Sequence, residues 1–286
     1  MNMDKAEYIS VEKLHPFEGH PFKVQDDEEM QSLMWSIFTE GILTPLVVRP
    51  LENGEYEVIS GHRRLYACKK AGIQKVPALI RDMDRDTAAI AVVDSNLQRE
   101  HILPSEKAFA YKMKMEAISR QGKRTDLTLL QNTTKLDSAA SIGAAQGDSR
   151  DKVFRYIRLT KLIPEILQKV DEKRIALTPA VEISYLTEDE QRDLLETMES
   201  EDCTPSLSQA QSLKKLSQSG ELSMDRTFEI MSQQKANQTE KIKLDYETLR
   251  RYFPRNYSPR DMQQAIMQLV EQDYRRRQRI KDRGER

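Results

Sequence analysis

Apolar positions in the first hundred residues switch between two periods. Tyr8-Ile9-Ser10-Val11 and Leu46-Val47-Val48 are short apolar runs of strand type. Asn53-Gly54 is a turn signal, and Tyr56-Glu57-Val58-Ile59 after it reads as the hairpin partner of the second run. Between them Met30, Leu33, Met34, Ile37 and Phe38 recur at i, i+3, i+4, i+7 and i+8, the stripe of an amphipathic helix. Asp26 and Asp27 are its candidate N-caps and Gly41 its stop. Trp35, Met30 and Met34 are expected in core or helix-face packing. A second helix is expected from His62 to about Lys70, closed by Gly72. Val76-Pro77-Ala78-Leu79-Ile80 reads as another strand, its proline placing the start at a sheet edge. A helix over 86–98 follows, broken at Leu103-Pro104. Ser105-Glu106 then caps a longer helix with Ala108, Tyr111, Met115 and Ile118 inward.

From there to about residue 230 the pattern is helical throughout. Residues 121–137, rich in Thr, Asn, Lys and Asp, read as a mobile connection, and the polar segment 200–240 as frayed helix plus linker. A last unit carries Met262, Ile266, Leu269 and Val270 at helical spacing after Ser258-Pro259. No internal repeat is found. The expected organisation is an α+β domain over 1–104, an all-α region over 105–235, and a basic helical unit over 236–286.

Composition adds an asymmetry that the net charge of −1 hides. Residues 26–57 hold eight carboxylates (Asp26, Asp27, Glu28, Glu29, Glu40, Glu52, Glu55, Glu57) against Arg49 alone, while Arg275-Arg276-Arg277, Arg279, Lys281 and Arg283 close the chain. That basic tail is a candidate contact for nucleic-acid phosphates. Cys68 and Cys203 lie far apart without a CxxC partner, which supports neither a disulfide framework nor a zinc site. His15, His20 and His101 have no carboxylate pair at ligand spacing. There is no signal-peptide pattern and no apolar run near the ~20 residues of a membrane span, so a cytoplasmic protein is expected.

Three short constellations carry candidate chemistry. Gly61-His62-Arg63-Arg64 stands where a strand gives way to a helix. There a glycine lets backbone N–H groups turn toward an anion, and two guanidinium groups supply forked donors. Asn96-Leu97-Gln98-Arg99-Glu100 ends the following helix with neutral and charged donors; alone it reads as a polar helix end. The third is a helix-turn-helix over about 138–161. Ser141–Gln146 form its first helix, Gly147 the turn, and Ser149 the cap of a second helix reaching about Lys161. Gly143 permits close crossing, and Val153 and Ile157 pack inward. That leaves Ser149, Arg150, Lys152, Arg155, Tyr156 and Arg158 for a DNA groove and its phosphates. Gln146 sits where an apolar residue is usual.

Taken in order, Gly41-Ile42-Leu43-Thr44-Pro45-Leu46-Val47-Val48-Arg49, Gly61-His62-Arg63-Arg64 and Asn96-Leu97-Gln98-Arg99-Glu100 resemble the three boxes of the ParB nucleotide-binding domain. The resemblance spans residues 7 to about 120 and weakens toward 200, and Arg158-Leu159-Thr160-Lys161-Leu162-Ile163-Pro164 is family-like. It implies a ParB/sulfiredoxin-like α+β domain. It also implies a CTP pocket in which Gly61, Arg63, Arg64, Asn96 and Arg99 hold the triphosphate. Thr44 and Pro45 would lie along the nucleotide, and His62 and Glu100 complete the boxes. In the family, CTP and centromere-like DNA close a dimer into a sliding clamp. The implied partners are double-stranded DNA, a ParA-type ATPase and a second copy of the chain, without a membrane.

The chain departs from the family at three places. GERR becomes Gly61-His62-Arg63-Arg64, ENLQR has Ser95 after Asp94, and the QPR loop reads Gly19-His20-Pro21-Phe22-Lys23. Mg²⁺ prefers carboxylate oxygens, so CTP is expected to bind and to turn over slowly or not at all, unless Asp94, the candidate metal ligand, restores the site. Sulfiredoxin chemistry needs a cysteine where His62 stands, and Cys68 lies within the helix. Two readings of other classes remain: a transcriptional regulator without nucleotide dependence, and a nuclease or kinase on the same scaffold.

Overall fold

The computed structural model describes residues 6–99, 101–125, 131–144, 146–232, 249–254 and 257–284, with side chains described in all but 122–125, 131–137, 259 and 278–284. Residues 1–233 and 234–286 are two compact units. In the first unit five strands form one mixed sheet: β1 (Glu7–Ser10), β2 (Leu14–Pro16), β3 (Leu46–Pro50), β4 (Tyr56–Ser60) and β5 (Lys75–Ile80). Their order is β1-β5-β3-β4-β2. β3 and β4 are the antiparallel hairpin, β1 runs antiparallel to β5, and the pairs β3–β5 and β2–β4 are parallel.

Successive strand side chains point to opposite faces, so the sheet has two cores. Val48 and Val58 join Met30, Ile37, Leu65 and Cys68 beneath α1 (Glu28–Glu40) and α2 (His62–Lys70). Ile59 joins Phe17, Ala88, Ala89, Val92 and Ala117 beneath α3 (Arg85–Leu97) and α4 (Pro104–Thr125). Asp27 caps α1 by accepting from the Met30 N–H at 2.8 Å, and Gly41 ends it at φ 77°.

Four sequence expectations are corrected here. Trp35 and Phe38 are 71% and 84% exposed. A helix advances about 100° per residue, so Met30 and Ile37 share one line while Phe38 lies a quarter-turn round and Trp35 lies nearly opposite. β5 is interior, so Pro77 is not at an edge; its ladder with β3 starts only at Ala78, and the missing N–H falls outside it. The apolar pattern predicts no strand at β2, since three residues containing a proline show no alternation; pairing with β4 fixes them. Segment 121–137 is helical over Gln121–Thr125 and Gln131 onward, with 126–130 outside the described residues.

The rest of the first unit is helical: α5 (Gln131–Ala144), α6 (Arg150–Leu159), α7 (Pro164–Asp171), α8 (Leu177–Ile183), α9 (Glu188–Ser200), α10 (Leu207–Ser219) and α11 (Met224–Ser232). α4 runs through both halves, packing on α3 and also on α5, α6 and α7. The polar stretch beyond residue 200 is not frayed before residue 233. Ser206 and Gln209 form a capping box, and the buried Gln209 amide donates to the Ile230 and Met231 carbonyls at the end of α11. In the second unit α12 (Pro259–Gly284) starts as expected after Ser258, whose hydroxyl accepts from the Asp261 N–H at 3.3 Å. Met262 is buried there, whereas Met267, Leu269, Val270 and Tyr274 are exposed.

Candidate functional site

β4 delivers the chain to Gly61, which holds φ 106° and opens α2. A Cβ at this position would stand 3.0 Å from Leu46 Cγ and 3.2 Å from Arg64 Nη2, so both conformation and space require glycine. Arg64 folds back and donates to the Thr44 and Pro45 carbonyls, the latter at 2.9 Å, which fastens the Thr44-Pro45 turn against the opening of α2. Arg63 forms 3.1 Å ion pairs with Asp27 and Glu29, at the cap and first turn of α1. Arg99 lies 5.6 Å from the Phe22 ring centroid. Burial lowers its pKa, the Glu106 carboxylate opposes that, and Arg63 reinforces it, so Arg63 and Arg99 share one field.

Asn96 is buried and spends its amide on the Val92 carbonyl at 2.8 Å and on Ser95 Oγ at 3.2 Å. Glu100 lies outside the described residues. Gly61, Arg63 and Arg99 are thus the candidate anion cradle at the α2 N-terminus, with Arg64 and Asn96 bonded to backbone and neighbouring groups beside it. The carboxylates on Arg63 are solvent-reachable, so these ion pairs hold it only weakly.

His62 is 7% exposed, and its Nε2 accepts from the Phe17 N–H at 3.3 Å. The ring lies against His20, with centroids 3.8 Å apart and planes tilted by 40°. Desolvation pushes its pKa down to about 3, helped by His20 and Arg99 and opposed by a bond to the Val58 backbone. It is a neutral structural imidazole with both nitrogens engaged. Asp94 is paired with Lys114, and Ser95 Oγ donates to the Val92 carbonyl. Among the described residues no three His, Cys, Asp or Glu side chains gather as a metal ion would require. Sequence reading missed Asp27, Glu29 and Glu106 as the cradle's counter-charges. The acidic run at 26–29 facing two arginines was the available signal.

The second candidate is α5–turn–α6. Gly147 takes φ 65° in the turn. A Cβ on Gly143 would fall 2.3 Å from the Asp148 carbonyl and 3.0 Å from Val153 Cγ2, so glycine is obligatory at the crossing. Ser149 caps α6, accepting from the Lys152 N–H at 3.3 Å. Asp148, 3% exposed in its side chain, accepts from Tyr111 Oη at 2.7 Å and pairs with Lys107 at 2.6 Å and Lys152 at 2.7 Å. Burial alone would raise its pKa, but these partners hold it below the usual value.

The expected DNA-facing residues divide. Ser149, Arg150 and Lys152 are exposed at the start of α6, with Arg150 on Asp151 at 3.0 Å. Arg155 donates to Thr178 Oγ1 at 2.5 Å. Arg158 bonds Ser184 Oγ and carbonyl at 3.0 and 2.8 Å and lies 3.9 Å from the Tyr185 ring centroid. Tyr156 turns inward onto Tyr111 at 5.9 Å.

An arginine-lined helix opening on a five-stranded α+β domain, continued by a helix-turn-helix, defines the class. Residues 1–97 match the family model of the ParB N-terminal domain. It is 33% identical over 165 residues to a nucleoid occlusion protein of Geobacillus sp. (strain WCH70), covering 57% of this chain and 53% of the relative. It is 34% identical over 173 residues to that of Bacillus thuringiensis (strain Al Hakam), covering 60% and 53%. The matches thus span about half the length of these curated relatives. Among solved structures, the C-terminally truncated chromosome-partitioning protein ParB from Caulobacter crescentus, complexed to the centromeric parS site, is 22% identical with a TM-score of 0.42. It covers 79% of this chain and 98% of that one. No helix among the described residues is long and apolar enough to cross a membrane.

Proposed function

We propose that this chain is a sequence-specific DNA-binding protein of the partition and nucleoid-occlusion kind. It reads a centromere-like site through α6 and takes CTP in the Gly61–Arg63–Arg99 cradle. The observation that carries the reading is the conjunction, on one compact unit, of that cradle with the Gly143-Gly147-Asp148 turn that presents α6. The matched names support it: the relatives are nucleoid occlusion proteins, and one ParB crystal structure is of a parS complex. A further ParB crystal structure is complexed with CTP-gamma-S. A homodimer is part of the proposal, since helix-turn-helix proteins read two half-sites through two-fold symmetry and α12 leaves Met267, Leu269, Val270 and Tyr274 uncovered. A ParA-type ATPase is the proposed partner by family alone.

The triphosphate fits the residues present: a glycine-opened helix end and two neighbouring guanidinium groups. Mg²⁺ does not fit the protein side chains, because His62 is spent on backbone groups and Asp94 on Lys114. Calorimetry with each nucleoside triphosphate, with and without a selected DNA site, tests the nucleotide half. CTP should bind to the parent, and binding should weaken at least tenfold in Arg63→Ala and Arg99→Ala, each of which removes a charge-assisted donor. Equal heats for all four triphosphates, or none, would remove CTP from the proposal.

The DNA half is tested by Arg150→Ala, which is expected to weaken binding to the selected site by about 1–3 kcal/mol if its fork reaches a base pair. Unchanged affinity, measured by fluorescence anisotropy at fixed salt, would move reading away from the start of α6.

A further inference from the structure

Phe154 is the large apolar side chain on the outward side of α6, 36% exposed. The helix buries Val153 and Leu159 and turns Tyr156 and Ile157 toward the core. At about 100° per residue, Phe154, Asp151, Arg155 and Arg158 fall on the opposite side, within roughly 100° of one another. The three polar members have protein partners: Asp151 holds Arg150, Arg155 reaches Thr178, and Arg158 lies along Tyr185. Phe154 joins none of the four apolar cores among the described residues. It sits one turn beyond Ser149, between Arg150 and Arg155.

The first turns of a recognition helix meet base edges, and in the major groove the one apolar feature of those edges is the thymine 5-methyl group. We infer that Phe154 is a specificity-determining residue that reads a thymine methyl, beside the hydrogen-bonding fork of Arg150. The inference rests on the DNA-binding reading above and adds a base identity to it. Burying a methyl against an aromatic face discriminates by about fivefold, with no change in the number of phosphates engaged.

The experiment uses the full chain. A site is selected from random duplex DNA, and each of its thymines is replaced in turn by deoxyuridine, which lacks only the methyl. The parent should lose about fivefold at one position per half-site, while Phe154→Ala should bind thymine and uracil sites equally, with the parent's salt dependence. Phe154→Leu, which keeps an apolar surface, should retain part of the preference. A parent that selects a site yet ignores every replacement, a site without thymine, or an alanine variant that still discriminates would each overturn the inference and leave DNA binding intact. Failure to select any site, together with binding that does not respond to salt, would instead overturn the DNA-binding reading itself.

Discussion

Asp148→Ala is expected to destabilise the protein by about 3 kcal/mol and to loosen α6 from α4. The carboxylate is enclosed and holds two ammonium groups and a phenol within 2.6–2.7 Å. Lys152 is 45% exposed and can turn to water when its partner goes. Lys107 cannot do so as easily: its side chain is 16% exposed, and its ammonium lies 5.6 and 5.1 Å from the Tyr111 and Tyr156 ring centroids. Removing one member of a buried pair leaves the other charge uncompensated, which dominates the loss. Lys152→Ala, by contrast, should cost under about 1 kcal/mol, as for a pair with one partner in water. Urea unfolding of the three proteins at pH 7 is the measurement. An Asp148→Ala variant within 1 kcal/mol of the parent would show that Lys107 has another way to be satisfied. Because Asp148 lies in the turn that presents α6, the same variant should lose affinity for a selected site more than for random DNA.

This network also shows where the sequence stops being legible. Aspartate between a turn glycine and a serine cap reads as a solvated turn residue. Its burial depends on Tyr111, 37 residues earlier, and on Lys107 on the same helix, and no local pattern announces that pairing. Arg158 presents the same difficulty in reverse. Helical spacing puts it outward and available to phosphates, but the pairing with Ser184 and Tyr185, just after α8, could not be read locally. What could be read was what local geometry decides. Gly61, Gly143 and Gly147 are each demanded by a positive φ or a close approach, and Asp27 and Ser149 by the orphan N–H groups of a helix start. The geometry of the candidate cradle was legible to the extent that it is local to α2. Its counter-charges Asp27, Glu29 and Glu106 come from other elements and emerged only with the fold.

The second large effect concerns acid. His62 has a folded pKa near 3 against an ordinary value of 6.5, so between those limits the unfolded chain binds a proton that the folded chain refuses. Stability from this group is fully present above pH 6.5 and is lost as pH falls toward 3. Each unit below 6.5 costs about 1.4 kcal/mol, so lowering pH from 7 to 5 should remove about 2 kcal/mol through His62. His20, whose pKa burial also lowers, adds to the loss in the same direction. Arg99 disfavours a new cation on either ring, and His20 disfavours one on His62, while bonds to the Phe22 and Val58 backbone oppose them. Groups elsewhere are shared by parent and variant, so the His62 contribution is isolated by difference. His62→Gln retains an oxygen to accept from the Phe17 N–H but cannot be protonated, and its stability should fall by about 2 kcal/mol less than the parent's over the same interval. Denaturant unfolding at pH 7, 6 and 5 for both proteins gives the comparison. Parallel losses in the two would mean that the imidazole reaches water in solution. The loop from Phe17 to Phe22, which closes one side of the cradle, would then have to open on its own.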